Sequence, residues 1–153
     1  MRRFVLSVVV VVNLLLVDAV TKELAAGYLK GSAAISVVAG CFDLAYVENR
    51  GCAWGMLQGQ VWPLAIVAVV ALVLLVWKRR SFFGVSRLGA VAEPLLYAGI
   101  LGNLIDRLVR GYVIDFIDLH YAAYHFPCFN VADVCITFAA GLVLFSSFGR
   151  SAK

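Results

Sequence analysis

Four aspartates, Asp18, Asp106, Asp115 and Asp133, lie inside or at the rim of runs that are otherwise strongly apolar. An ionisable side chain at membrane depth costs roughly 2.5 kcal/mol or more, so each is a functional candidate. Asp115 precedes the last apolar run, and Asp133 lies one turn inside it. Two carboxyl groups held close in a partly dry site cannot both ionise; they share a proton and titrate as a pair. One then acts as base and the other as acid. That chemistry suits peptide hydrolysis, in which a water loses a proton while the attacked carbonyl oxygen gains one, and no nucleophilic side chain is needed.

Each of these residues also has a purely structural role open to it. Asn130 precedes Asp133 by three, the spacing of a reciprocal helix cap, and a carboxylate there favours the helix N-terminus. Asn103 and Asp106 repeat that spacing within a helix, where Arg107 is expected to neutralise Asp106 at the membrane edge. Asp18, Thr21 and Lys22 close the first apolar run; Lys22 is expected to snorkel to the headgroups while Asp18 bonds a neighbouring helix. Glu93 reads as an interfacial residue on the opposite side.

The elements that must position these groups follow from composition. Of 153 residues, 63% are hydrophobic and 14% charged, against roughly half and a quarter in soluble domains. Apolar stretches at 4–20, 61–77, 88–108 and 131–148 approach the roughly 20 residues that cross a bilayer. The expected fold is an all-α membrane protein, a four-transmembrane-helix bundle, with the chain 1–153 forming a single domain. Pro63 and Pro94 are expected near the starts of their spans, where a missing N–H is tolerated.

Charge sets the orientation. Arg2, Arg3, Lys78, Arg79, Arg80, Arg87, Arg150 and Lys153 fall in three short segments, which places those segments and both termini in the cytoplasm. All the acidic residues except Glu93 fall on the other side. The net charge of +4 therefore reflects topology, and no basic stripe interleaved with stacking aromatics points to nucleic acid. The first apolar run also has features of a cleavable leader, with Arg2 and Arg3 ahead of it and Ala25, Ala26 and Gly27 after it. Asp18 and Lys22 in the cleavage region argue against that.

About forty residues separate the first two spans, enough to need structure of their own. Leu24, Ala25, Tyr28 and Leu29 recur at helical spacing, predicting a short amphipathic helix on the membrane surface. Phe42, Leu44 and Tyr46 alternate, Asn49 to Gly51 signal a turn, and Cys52, Trp54 and Met56 alternate again, predicting a hairpin. In Val113 to His120, a strand would put Asp115 and Asp118 on opposite faces and a helix on the same face. Cys41, Cys52, Cys128 and Cys135 lack C-x-x-C spacing, and His120 and His125 lack a metalloprotease pattern, so no metal or other cofactor is expected. A Cys41 to Cys52 bridge is one option, and burial of the thiols as small apolar groups is the default. The two histidines read as interfacial polar residues, with no evident acidic partner on one helix turn.

Four blocks resemble the lipoprotein signal peptidases, or signal peptidase II. They are Asp18 with Thr21 and Lys22; V-E-N-R-G-C-A-W-G from Val47 to Gly55; G-N-L-I-D-R from Gly102 continuing through G-Y-V-I-D-F-I-D to Asp118; and F-N-V-A-D ending at Asp133. The resemblance implies a membrane aspartyl endopeptidase of the bacterial cytoplasmic (inner) membrane, with its active site at the outer face. It adds to the helix bundle a small extracytoplasmic β-cradle and a surface helix. Implied partners are membrane lipids, prolipoproteins whose cysteine carries a diacylglyceryl group and is cut just before that residue, and the inhibitor globomycin. By position Asp115 and Asp133 match the catalytic pair. Asp18, Asn49, Asn103, Asp106, Arg107 and Asn130 match positions that support the site or hold substrate. Arg50, Cys52, Trp54 and Val134 depart from the family pattern beside the site, and none removes a carboxylate. A proton-coupled carrier would instead need polar groups leading to both sides, and only Asn13 lies deeper. The absence of an internal repeat weakens that reading further. A scaffold would tolerate loss of either Asp115 or Asp133 charge.

Overall fold

The computed structural model describes residues 2–84, 86–122 and 124–151, without the side chains of residue 2 and of 148–151. Of the basic residues assigned to the cytoplasm, the side chains of Arg2 and Arg150 and the whole of Lys153 lie outside the described residues. The elements run α1 Arg2–Leu29, β1 Ile35–Val38, β2 Phe42–Asn49, a 3-10 turn Ala53–Gly55, α2 Val61–Trp77, α3 Arg79–Phe83, α4 Arg87–Val109, β3 Val113–Tyr121, β4 Tyr124–His125 and α5 Val131–Ser151. The chain is mostly helical, with one small antiparallel sheet ordered β1-β2-β3-β4.

Two helices, Arg3–Leu29 and Arg87–Val109, are long and apolar enough to cross a membrane; Val61–Trp77 and Val131–Ser147 are shorter apolar helices. Their outer faces expose large apolar side chains, among them Leu6, Leu16, Ile66, Val73 and Phe138, as contact with lipid favours. α4 is the central element, packed against α1, α2 and α5. Small residues allow this. A Cβ on Gly99 would stand 2.5 Å from the Ala132 carbonyl oxygen, and one on Gly102 would stand 2.7 Å from Asp18 Oδ2. Close backbone approach through small residues is how helices associate in lipid, where the hydrophobic effect between them is weak.

Several expectations are corrected here. The predicted surface helix is the last part of α1, which continues unbroken to Leu29. Ala25 and Leu29 are buried against Ile114 and Phe116 of β3, so the apolar spacing reflects packing beneath the sheet. The predicted hairpin is also different: β2 pairs with β1 on one edge and β3 on the other. Cys52 to Met56 instead form a tight turn, with Trp54 at φ 62° and the Cys52 N–H donating to Met56 O at 2.9 Å. Alternation over five residues cannot distinguish a strand from such a turn. Pro94 lies inside α4 because that helix begins at Arg87. Glu93 is buried and forms an ion pair with Arg79 of α3, a partner that makes its burial tolerable.

The segment left open between helix and strand is strand β3, and a bulge alters its facing. The N–H groups of Phe116 and Ile117 both donate to Phe129 O, at 3.0 and 2.9 Å. Two residues thus oppose one, which shifts the alternation by a residue. Asp115 and Asp118 consequently border the same cavity, against the strand expectation of opposite faces.

Candidate active site

Asp115 is on β3 and only 2% exposed. Its Oδ1 accepts from Asn130 Nδ2 at 2.7 Å and its Oδ2 from Asn49 Nδ2 at 2.9 Å. Asp133, in the first turn of α5, accepts from Asn103 Nδ2 at 2.8 Å through Oδ1 and from the Asn130 N–H at 3.2 Å through Oδ2. Asn130 Oδ1 in return accepts from the Asp133 N–H at 3.0 Å. The cap expected from their spacing is therefore present, and it leaves Asp133 Oδ1 facing the same asparagine network as Asp115.

That network fixes which way each amide points. Asn49 Oδ1 accepts from the Gly51 N–H at 2.9 Å, so its NH2 must face Asp115. Asn130 Oδ1 is occupied by the Asp133 N–H, so its NH2 faces Asp115, Asn103 Oδ1 and Ile114 O. Asn103 Oδ1 accepts from Lys22 Nζ and Asn130 Nδ2, both at 3.2 Å, leaving its NH2 for Asp133. Each asparagine is thus locked by one bond and holds a carboxylate with another. Burial, followed by the charge of Asp133, pushes the Asp115 carboxyl up to about 7; the bonds from Asn49 and Asn130 oppose that rise without cancelling it.

Behind the pair lies a buried cation. Lys22 is 1% exposed, and its Nζ lies 2.8 Å from Asp18 Oδ2 and 3.1 Å from Asp106 Oδ2. The expectation that it snorkels to the headgroups is wrong, because two carboxylates and an amide oxygen satisfy its three donors inside the protein. Asp18 also accepts from the Ala132 N–H at 2.9 Å, at the start of α5. Asp106 accepts from Arg110 Nε at 3.0 Å and the Ile114 N–H at 3.2 Å. Arg110, not Arg107, is the arginine that neutralises Asp106. Arg107 donates instead to Asn103 O at 3.2 Å and Gly51 O at 3.0 Å, tying α4 to the turn after β2. The i, i+4 spacing of Asp18 and Lys22 was the available signal for the buried pair.

The four cysteines are free; only Cys135 is buried, which corrects both the proposed bridge and the default of burial for the others. Burial, then Asp115, pushes the Cys128 thiol up to about 12. The histidines meet carboxylates of the sheet: His125 Nδ1 is 3.0 Å from Asp118 Oδ1, and His120 Nε2 is 3.2 Å from Asp43 Oδ2. Their rings stack with centroids 4.8 Å apart.

Two cavities meet at Asp115. One of about 710 Å3 is bordered by Leu64, Val67 and Ala71 of α2, Ile100 of α4 and Thr137 and Phe138 of α5, and it reaches Asn103, Arg107, Asp115 and Asp133. The other, of about 450 Å3, lies against the sheet. Asn49, Cys52, Asp115 and Phe126 border both. Thus Asp115, Asp133, Asn49, Asn103 and Arg107 are brought to one cavity, while Asp18, Asp106 and Asn130 stand behind it as its supports. The arrangement offers two carboxyls held by one asparagine network and an apolar approach.

Residues 10–149 match the family model for signal peptidase (SPase) II. A lipoprotein signal peptidase of Syntrophotalea carbinolica is 42% identical over 135 residues, covering 86% of this chain and 84% of its own length. One from Clostridium acetobutylicum is 37% identical over 144 residues, covering 94% and 92%. A solved structure described as a bacterial membrane enzyme is similar with a TM-score of 0.86 at 32% identity, covering 95% of this chain and 88% of its own.

Proposed function

The chain belongs to the signal peptidase II family, and from that premise we propose how its own residues carry out the family's reaction. It is a membrane aspartic peptidase that removes signal peptides from prolipoproteins. In our reading Asp115 and Asp133 are its catalytic pair, and the cut falls just before a diacylglyceryl-bearing cysteine. The observation that carries this is the asparagine-bridged pair of carboxyls at the junction of an apolar cavity and a polar one.

Asp115, with its carboxyl pushed up to about 7, holds the shared proton, and ionised Asp133 is the base. A water between them gives a proton to Asp133 as its oxygen attacks the scissile carbonyl carbon, and Asp115 donates its proton to the carbonyl oxygen. The tetrahedral gem-diol collapses when Asp133 returns its proton to the peptide nitrogen. The C–N bond breaks, one hydroxyl proton passes to Asp115, and the starting state is restored. Asn49, Asn103 and Asn130 keep both carboxyls oriented without supplying a proton. Little reorganisation is then needed at the transition state.

The surroundings match such a substrate. The 710 Å3 cavity has an apolar wall on α2 and α5, suited to a signal helix and acyl chains arriving from lipid. We propose that all four long helices α1, α2, α4 and α5 span the bacterial inner membrane as one domain, 1–153. Both termini are then cytoplasmic, and the sheet forms a cradle over the outer leaflet. Arg79, Arg80 and Lys78 after α2 and Arg87 before α4 support that orientation. Membrane lipids and a globomycin-type inhibitor are the further partners this reading implies.

A direct test incubates the purified protein in micelles with a lipobox peptide bearing a diacylglyceryl cysteine and with its unlipidated counterpart. Mass spectrometry should find one cut, before the cysteine, in the lipidated peptide alone. A cut elsewhere, or no cut in that peptide, would contradict the proposal.

A further inference from the structure

The 450 Å3 cavity has no residue of α1 to α5 in its wall; it is built from β2, the 52–58 turn, β3, β4 and residues 126–128. It is therefore separate in character from the helix-walled cavity and meets it at Asp115. A peptide bond held at Asp115 has one cavity on each side. The signal helix needs the apolar one, so the chain beyond the cut is directed to the other.

The chemistry of that second cavity is acidic. Glu48 on its wall is neutralised by Lys30 at 3.1 Å and Arg50 at 3.2 Å. Among the described residues Asp118 meets no lysine or arginine: both of its oxygens lie 3.0 Å from the single nitrogen His125 Nδ1. A neutral imidazole donates one hydrogen there and leaves the carboxylate its charge. Across the strands Asp43 faces Asp118 in register, behind the cavity wall, where it meets His120 Nε2 and the Ser36 hydroxyl. Among the described residues no lysine or arginine borders this cavity. Asp118 borders it together with Asp115, the two standing on either side of the β3 bulge.

We propose that this cavity binds the first residues of the mature lipoprotein, immediately after the lipid-bearing cysteine, and that Asp118, oriented by His125, makes it favour cationic over acidic side chains. The proposal rests on the peptidase reading of Asp115 and Asp133. Asp118 touches no reacting atom in it and acts on substrate choice alone.

The test compares two lipidated peptides that differ only in carrying Lys or Asp at the residue after the cysteine. A partly exposed charge contact changes binding by up to about 1 kcal/mol, or about fivefold, so wild-type kcat/KM should favour the Lys peptide by about fivefold at low salt. Raising sodium chloride should shrink that ratio on the same wild-type protein. In Asp118→Asn the ratio should fall below about twofold; because it is taken within one variant, any general loss of activity cancels. Equal turnover of the two wild-type peptides, or a preference insensitive to salt, would overturn the subsite and leave the peptidase reading intact. A preference undiminished in Asp118→Asn would do the same. Failure of the wild type to cut either peptide would remove the peptidase reading, and the subsite with it.

Discussion

Lys22→Met tests whether the buried cation holds the outer half of the molecule together. The substitution keeps the length of the side chain and deletes an ammonium that meets Asp18 at 2.8 Å, Asp106 at 3.1 Å and Asn103 at 3.2 Å. Breaking a buried ion pair from one side costs about 3–5 kcal/mol, because the other charge stays buried. Asp18 would keep the Ala132 N–H, and Asp106 would keep Arg110 and the Ile114 N–H, so the loss belongs at the lower end, about 3 kcal/mol. For a chain of this size that is a fall in Tm of roughly 6–12 °C. Thermal unfolding in micelles, followed by tryptophan fluorescence, gives the number. Lys22→Met combined with Asp18→Asn should lose less than the sum of the two single changes, since the second removes the charge that the first strands. A Tm within about 2 °C of wild type, or strict additivity in the double variant, would refute the reasoning.

Three other outcomes follow, two from Asp115 and one from Gly99. With Asp115 pushed up to about 7 and serving as the acid, kcat/KM should decline through an alkaline limb near that pH. The same group sets a stability slope: the folded protein keeps a proton that the unfolded chain releases between its ordinary 3.8 and about 7. Stability should therefore fall as pH rises across that window, and the slope should flatten in Asp115→Asn unfolding curves. Gly99→Ala should destabilise by about 1–3 kcal/mol, because its Cβ would stand 2.5 Å from the Ala132 carbonyl and push α4 from α5; a thermal melt close to wild type would contradict this.

The parts of the site carried by short-range spacing were legible in the sequence. Asn130 and Asp133 show it best, since an i, i+3 pair at a helix start has few geometries open to it, and both cap bonds are present. The parts set by tertiary placement were not. Lys22 looked like a headgroup anchor because α1 was expected to end near it, whereas the helix runs on beneath β3 and takes the ammonium into the interior. Arg110 stands four residues after Asp106 and on its face, whereas Arg107 stands one residue after it and projects elsewhere; what the local spacing could not show is that Gly51 O receives it. The strand pattern in Phe42 to Tyr46 was real, but its long-range partner β3 lies beyond any local turn signal. The irregular pairing of β3, at Phe116 and Ile117 against Phe129 and between Leu44 and Val47 of β2, leaves no trace in alternation, and Asp118 borders the same cavity as Asp115.

Asp115→Asn and Asp133→Asn probe the central claim with the smallest change of shape, since each swaps a carboxylate oxygen for an amide and keeps one oxygen to accept a hydrogen bond. Cleavage of the lipidated lipobox peptide by each purified variant, with circular dichroism and melting checked against wild type, is the measurement. A shared-proton pair predicts that both variants fold and that each loses turnover by at least about a hundredfold, the usual scale of a missing general acid or base. Wild-type turnover by either folded variant would contradict the account.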